Sequence, residues 1–344
     1  MARLFAVLSG EHETLPLSEV KAILEAEKVG FRFLDFQPCL LRFEAPIEAL
    51  EKIFQRAAYC RICGIELFEC DASAEEILRF GGEIAYEELV RPGETFAVRI
   101  RRICGAEKLP ESLELERRLG GIIWQRVEGL KVDLKSPEKL FVGLITKGGR
   151  FIFGLSWRGF IERRFSERTP SKKPFFHPSS LKPKLARCMV NLSRVSAGKL
   201  LYDPFCGTGT ILIEASLMGF EAVGGDLQRR MAKGAKINLK HYNVELADVL
   251  VADALSPPLR EIGAIATDPP YKRSATTFGK PLTELFEGFL SAAAGILRRD
   301  GFICMASPME ISALAEDLGF KVVEEHRLYV HKSLTRHILV LKLK

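Results

Sequence analysis

The chain has 344 residues, 47% hydrophobic and 27% charged, which suffices for a packed core and suggests two or three domains. Its net charge of +6 permits a polyanionic partner without requiring one. No apolar run reaches the roughly 18 residues that span a bilayer, and the amino terminus lacks a small-residue cleavage pattern, so a cytoplasmic chain with no membrane role is expected.

In chain order, residues 3–9 read as a strand. Ser18 is placed to cap a helix through Lys28, with Val20, Ile23 and Leu24 on one face. "GFRFLDFQPCLLRFEA" reads as two strands and a turn, and "PIEALEKIFQRAAYC" as an amphipathic helix. This first α+β stretch spans residues 1–66. The eight cysteines are expected as reduced thiols rather than a disulfide framework. Cys60-x-x-Cys63 with Cys70 resembles half a zinc site, but no second pair completes it, so no metal is expected.

A second α+β stretch spans 67–155. "ETFAVRIRRI" alternates Phe96, Val98 and Ile100 with Arg99, Arg101 and Arg102, a half-buried strand with a basic outer face. "SLELERRLGGIIWQRV" reads as a helix, and the segment after it as three strands. Residues 156–180 form a basic linker. The longer stretch "ERRFSERTPSKKPFFHPSSLKPKLAR" is broken by four prolines and carries Lys172 and Lys173 among its cations. Two readings stand for it: a solvated connector, or a strap contacting phosphates.

After residue 198 strands and helices alternate, the pattern of a doubly wound, mostly parallel α/β sheet. Four strand ends carry the chemistry. Asp203 ends the first, and Gly207-Thr-Gly209-Thr210 turns into a helix, where glycines let a backbone approach a ligand. Asp226 ends the second strand, placed for ribose hydroxyls. Asp253-Ala254 ends the third. Asp268-Pro269-Pro270-Tyr271 ends the fourth, and its prolines must leave the sheet, making a rigid corner that holds an acid and a ring. All four lie at the carboxyl edge, where such sheets bind ligands.

"DPFCGTGT", the acid at 226, "ADA" and "DPPY" resemble the S-adenosylmethionine-dependent amino-methyltransferases that act on nucleic-acid bases. "SLELERRLGGIIW" through "VDLKSPEKLFVGLI" resembles a THUMP domain, an RNA-binding module. The whole order is similar to the archaeal and eukaryotic tRNA guanosine-10 N2-methyltransferases. The resemblance implies a ferredoxin-like unit (1–66), a THUMP domain (67–155), the basic linker and a Rossmann-like class I methyltransferase domain (181–344). It implies S-adenosylmethionine held by Asp203, Phe205, Gly207, Gly209 and Thr210 at its methionine part, Asp226 at its ribose, and Asp253 and Ala254 at its adenine. It implies Asp268, Pro269, Pro270 and Tyr271 as the catalytic corner. Lys272 stands where the family's usual tail has glycine.

An exocyclic guanine amine is a poor nucleophile, because its lone pair is shared with the ring. The Asp268 carboxylate and the Pro269 carbonyl are placed to accept its protons, with Tyr271 stacked on the extruded base. Arg99, Arg101, Arg102, Lys172 and Lys173 are the candidates for tRNA contact. His177 is open between a structural role and one near the site. The family also implies a small zinc-binding activator protein, docking on an edge strand; "GFICMAS" and "RHILVLKLK" are apolar enough to form one, although interior strands are the plainer reading of both. Alternatives that remain are rRNA guanine, DNA adenine or cytosine, and a non-catalytic RNA-binding protein.

Overall fold

The computed structural model of the chain describes residues 1–106, 112–271, 281–331 and 334–344. Its chain forms two units, the first made of Met1–Leu17, Lys28–Gln55 and Tyr59–Glu162, the second of Ser18–Glu27, Arg56–Ala58 and Arg163–Lys344.

In chain order the elements of the amino-terminal half are β1 (Ala2–Leu8), α1 (Leu15–Ala26), β2 (Arg32–Gln37), β3 (Leu40–Ala45), α2 (Glu48–Arg56), β4 (Cys60–Asp71), α3 (Ala74–Gly82), β5 (Thr95–Arg102), α4 (Ser112–Arg126), β6 (Lys131–Val132), β7 (Lys139–Ile145) and β8 (Arg150–Ser156). The strands make one eight-stranded sheet in the order β2-β3-β1-β4-β8-β7-β5-β6. Strand β4 is long enough to pair with β1 near its start and with β8 through Asp71, so both α+β stretches share a sheet. Helix α4 buries Leu115, Leu119 and Ile123, spaced four apart on one face, among Phe96, Phe141 and Phe153. Ser73 caps α3 as its side chain accepts the Glu76 N–H. Helix α1 begins at Leu15, three residues before the expected Ser18 cap, because the His12 ring nitrogen accepts the Thr14 and Leu15 N–H groups instead. The expectation of reduced thiols is corrected at one pair. Cys39 and Cys104 form a disulfide across 65 positions, with Gly10 against both sulfurs. The other six cysteines are free and buried.

The carboxyl-terminal half adds α5 (Pro183–Leu192), β9 (Leu201–Asp203), α6 (Thr210–Ser216), β10 (Ala222–Asp226), α7 (Arg229–His241), β11 (Ala247–Val251), β12 (Ile262–Thr267), α8 (Leu282–Ile296), β13 (Leu297–Ser307), α9 (Ser312–Asp317), β14 (Phe320–His331) and β15 (Leu334–Leu343). The sheet order is β11-β10-β9-β12-β13-β15-β14. Strands β9 to β13 run parallel and β15 enters antiparallel beside β13. This is the doubly wound arrangement, with order reversing at β9. The stretches "GFICMAS" (in β13) and "RHILVLKLK" (in β15) are flanked on both sides. The sheet's edges are β11 and β14.

Buried ion pairs knit this unit. Glu214 is fully buried and takes Arg168 at 2.8 Å and Arg187 at 2.9 Å. Arg56, itself buried, donates to Asn191 Oδ1 at 3.1 Å, to the Val195 carbonyl at 3.1 Å and to Glu27 at 2.8 Å. Glu19 accepts from Asn191 and from the Ala58 N–H, both at 2.8 Å.

Candidate active site

The glycine turn is built from below. Strand β10 passes under it, and a Cβ on Gly224 would come within 2.5 Å of Leu212 and 2.8 Å of Cys206. Only glycine lets the strand pack this close. The Cys206 N–H then donates to the Gly225 carbonyl at 2.9 Å. Gly207 and Gly209 have φ of 53° and 78°, the left-handed region, as a tight strand-to-helix turn demands.

The acids sit around that turn. Asp203 is 1% exposed and accepts the Thr267 hydroxyl at 2.7 Å and the Phe205 N–H at 3.3 Å. Burial pushes its pKa up to about 7 against those two hydrogen bonds, with Asp268 and Asp226 adding to the rise. Asp226 accepts the Gly207 N–H at 3.1 Å and the Gln228 N–H at 2.8 Å, and burial raises its pKa too. Asp253 is exposed and accepts the Leu255 N–H at 2.9 Å, while Ala254 is buried beside it. A cavity of about 70 Å³ is lined by Asp203, Phe205, Gly207, Thr210 and Asp268, with Ser179 and Ser180 of the preceding stretch. The first and fourth strand ends therefore face one space.

The D-P-P-Y corner leaves the wholly buried β12. The Asp268 side chain is 14% exposed and accepts a hydrogen bond from the Tyr271 hydroxyl. Burial raises the pKa of Asp268, and a cation absent from the sequence reading opposes that rise: Arg336. Its guanidinium lies 3.7 Å from the carboxylate, donates to the Tyr271 hydroxyl and stands over the Tyr271 ring at 5.1 Å. Burial likewise raises the Tyr271 pKa. Arg336 reaches the corner because β15 is antiparallel. Its first residues therefore lie at the carboxyl edge of the parallel strands, where Ser307 at the end of β13 pairs with His337. The signal was available only to a reading that assigned strand direction. Lys272 lies outside the described residues.

The proposed RNA contacts do not share one environment. Arg101 and Arg102 are exposed on β5, but Arg99 is half-buried, 3.6 Å from Glu116 and bonded to the Leu134 carbonyl at 2.8 Å. Lys172 is exposed. Lys173 is 4% exposed and donates to the Thr208 hydroxyl at 3.4 Å and to that of Thr210, so it is corrected from a surface contact to a support beneath the glycine turn. Burial lowers its pKa to about 8. Arg168 and Arg187 are likewise committed to Glu214, so the basic stretch is partly folded core. His177 is exposed and paired with the Ser179 hydroxyl at 2.7 Å. Among the described residues no three His, Cys, Asp or Glu side chains come together as a metal site, and no helix is long and apolar enough to cross a membrane.

Residues 71–153 match the THUMP domain family, and residues 170–337 match the RMKL-like methyltransferase domain family. The chain is 39% identical to the tRNA (guanine(10)-N2)-dimethyltransferase of Methanothermobacter thermautotrophicus, over 98% of this chain and 99% of that one. It is 35% identical to the protein of the same name from Pyrococcus abyssi, over 94% and 95%. Among solved structures it is similar in fold to TrmN from Thermus thermophilus, with a TM-score of 0.56 and 22% identity, covering 99% of this chain and all of that one.

Proposed function

The chain belongs to the tRNA (guanine(10)-N2)-methyltransferase family, and on that premise we propose that Asp268 and its neighbours receive the N2 amine of guanosine 10 in tRNA for two successive methylations. The observation that carries this reading is the shared cavity, which sets the Asp268 carboxylate and the glycine turn against one space. The residues present suit S-adenosylmethionine: a turn whose left-handed glycines open its backbone, with acids at the ends of β9, β10 and just beyond β11. Asp203, Phe205, Gly207, Gly209 and Thr210 would hold its methionine part, Asp226 its ribose, and Asp253 and Ala254 its adenine. Once bound, it supplies an electrophilic methyl group on a sulfonium.

The work of this chain is positioning and charge. The Asp268 carboxylate and the Pro269 carbonyl accept the two amine protons, which turns the nitrogen lone pair out of conjugation with the ring. The prolines keep both acceptors aimed. The new C–N bond would form as the sulfonium's bond to the methyl group breaks, and the nitrogen would gain positive charge beside Asp268, whose carboxylate Oδ would take the departing proton. Arg336 covers one face of the Tyr271 ring, leaving the other for the extruded base. A second round needs one remaining proton on the same nitrogen, which the same pair of acceptors can hold. An activator protein would take a free sheet edge, β11 or β14, rather than β13 or β15.

The test is mass spectrometry of nucleosides from unmodified tRNA incubated with the protein and S-adenosylmethionine. N2,N2-dimethylguanosine is expected, with the rate reduced at least about 100-fold in Asp268→Ala while cofactor binding persists. Methylated adenine or cytosine would refute the guanosine assignment. Full activity in Asp268→Ala would refute the mechanism.

A further inference from the structure

An open groove of about 430 Å³, lined by Phe175, Arg229, Arg230, Lys233, Gly234 and Ile237, shares no lining residue with the cavity above. Its floor is fixed. Asn238, fully buried on α7, accepts the Phe175 N–H and donates to the Phe175 carbonyl, both at 2.9 Å. A Cβ on Gly234 would come within 2.1 Å of the Phe175 ring, so the ring is wedged into the one helix position that has no side chain. Its rim is cationic. Arg229, Arg230 and Lys233 are exposed and, among the described residues, none is within ion-pair distance of an acid. Lys236, one turn further along, is paired with Asp248 at 3.0 Å. The Arg230 guanidinium stands 6.0 Å from the Phe175 ring.

This arrangement opposes the helix's own interest. The first turn of α7 holds no acid and begins with two arginines, at the end where the helix dipole is already positive. Arg229 and Lys233 add like charge four residues apart. An anion in the groove would relieve both. Exposed cations around a fixed aromatic floor suit a polynucleotide: the phosphates neutralise the rim and a base lies against the ring.

We propose that this groove binds a phosphodiester segment of the tRNA substrate, a contact on the catalytic unit separate from the β5 arginines. The inference rests on the tRNA reading of the active site. It is tested on the full chain carrying Arg229→Glu, Arg230→Glu and Lys233→Glu together, with the glutamine triple as a second variant. The probe is an unmodified tRNA transcript, and its affinity is measured across salt concentrations. Charge reversal should weaken binding about tenfold or more near 0.1 M salt, and should flatten the log–log salt slope by about 2 to 3. S-adenosylmethionine affinity should hold, and the melting temperature should not fall, since acids suit that helix end. Wild-type affinity and slope in both triple variants, in a protein whose parent methylates tRNA, would overturn this inference alone. Weakened binding with an unchanged slope would overturn the phosphate contacts. Poly-glutamate binding to the parent, lost in the variants while tRNA affinity holds, would reassign the groove to an acidic protein. A parent that neither binds nor methylates tRNA would overturn the functional reading, and this one with it.

Discussion

In the proposed mechanism the Asp268 carboxylate has to be charged to accept amine protons, yet burial favours its neutral form. Arg336 offsets this from 3.7 Å. The sign follows. On that mechanism activity should rise with pH as Asp268 ionises, and removing the cation should move that acid limb to higher pH. In Arg336→Met the limb should move to higher pH, and the rate below it should fall about tenfold or more. Arg336→Lys should restore part of the limb by charge, but not the hold on the Tyr271 ring. A pH–rate profile under single-turnover conditions checks this, and a Met variant with the parent's profile would refute it. The acid was legible in the sequence because two prolines set it apart. The arginine was not, because it follows Tyr271 by 65 positions and meets it only through the direction of β15.

The alternation of strands and helices after residue 198 was legible at the level of elements, since its first four strands are short apolar runs that end at or just before an acid: Asp203, Asp226, Asp253 and Asp268. Helix α5 was hidden. Its "LKPKLAR" start shares the prolines and cations of the preceding stretch, although Pro183 sits in the first turn, where its missing N–H costs nothing. The burial of Arg168, Arg187 and Lys173 was hidden for a similar reason: a run of cations resembles a solvated face until Glu214 and the threonines of the turn are placed beside it. How closely β10 passes under the turn is an element-scale property with a direct test. Gly224→Ala places a methyl 2.5 Å from Leu212 and 2.8 Å from Cys206. Overpacking of this kind costs about 1–3 kcal/mol. The melting temperature should fall, and S-adenosylmethionine affinity measured by calorimetry should fall with it, as the turn shifts. Lower stability with unchanged affinity would show that the turn holds its shape without β10.

At the scale of the whole molecule, chain order and structural unit part company. The residues that complete the catalytic unit include Ser18–Glu27 and Arg56–Ala58, far from it in sequence. No pattern in those segments announces this, since an amphipathic helix shows that it buries a face but not against what. The consequence concerns any attempt to isolate the catalytic half. A chain beginning at residue 156 would leave Asn191 without Arg56 and Glu19, which fill three of its hydrogen bonds. It would leave the Val195 carbonyl and the ring of Phe220, over which the Arg56 guanidinium stands at 4.7 Å, without their partner. Such a fragment should lack cooperative unfolding in urea, followed by circular dichroism. The same dependence should appear in the intact chain. Arg56→Met removes the cation 2.8 Å from Glu27 and orphans the buried acceptors on Asn191 and Val195, a class of change that costs about 3–5 kcal/mol. Its unfolding midpoint should drop accordingly, while folded protein should still methylate tRNA at 25 °C, because Asn191, Glu27, Val195 and Phe220, the partners of Arg56 named above, do not line the cavity. A fragment from 156 that unfolds cooperatively and binds S-adenosylmethionine as the full chain does would show that these segments decorate the catalytic unit rather than complete it.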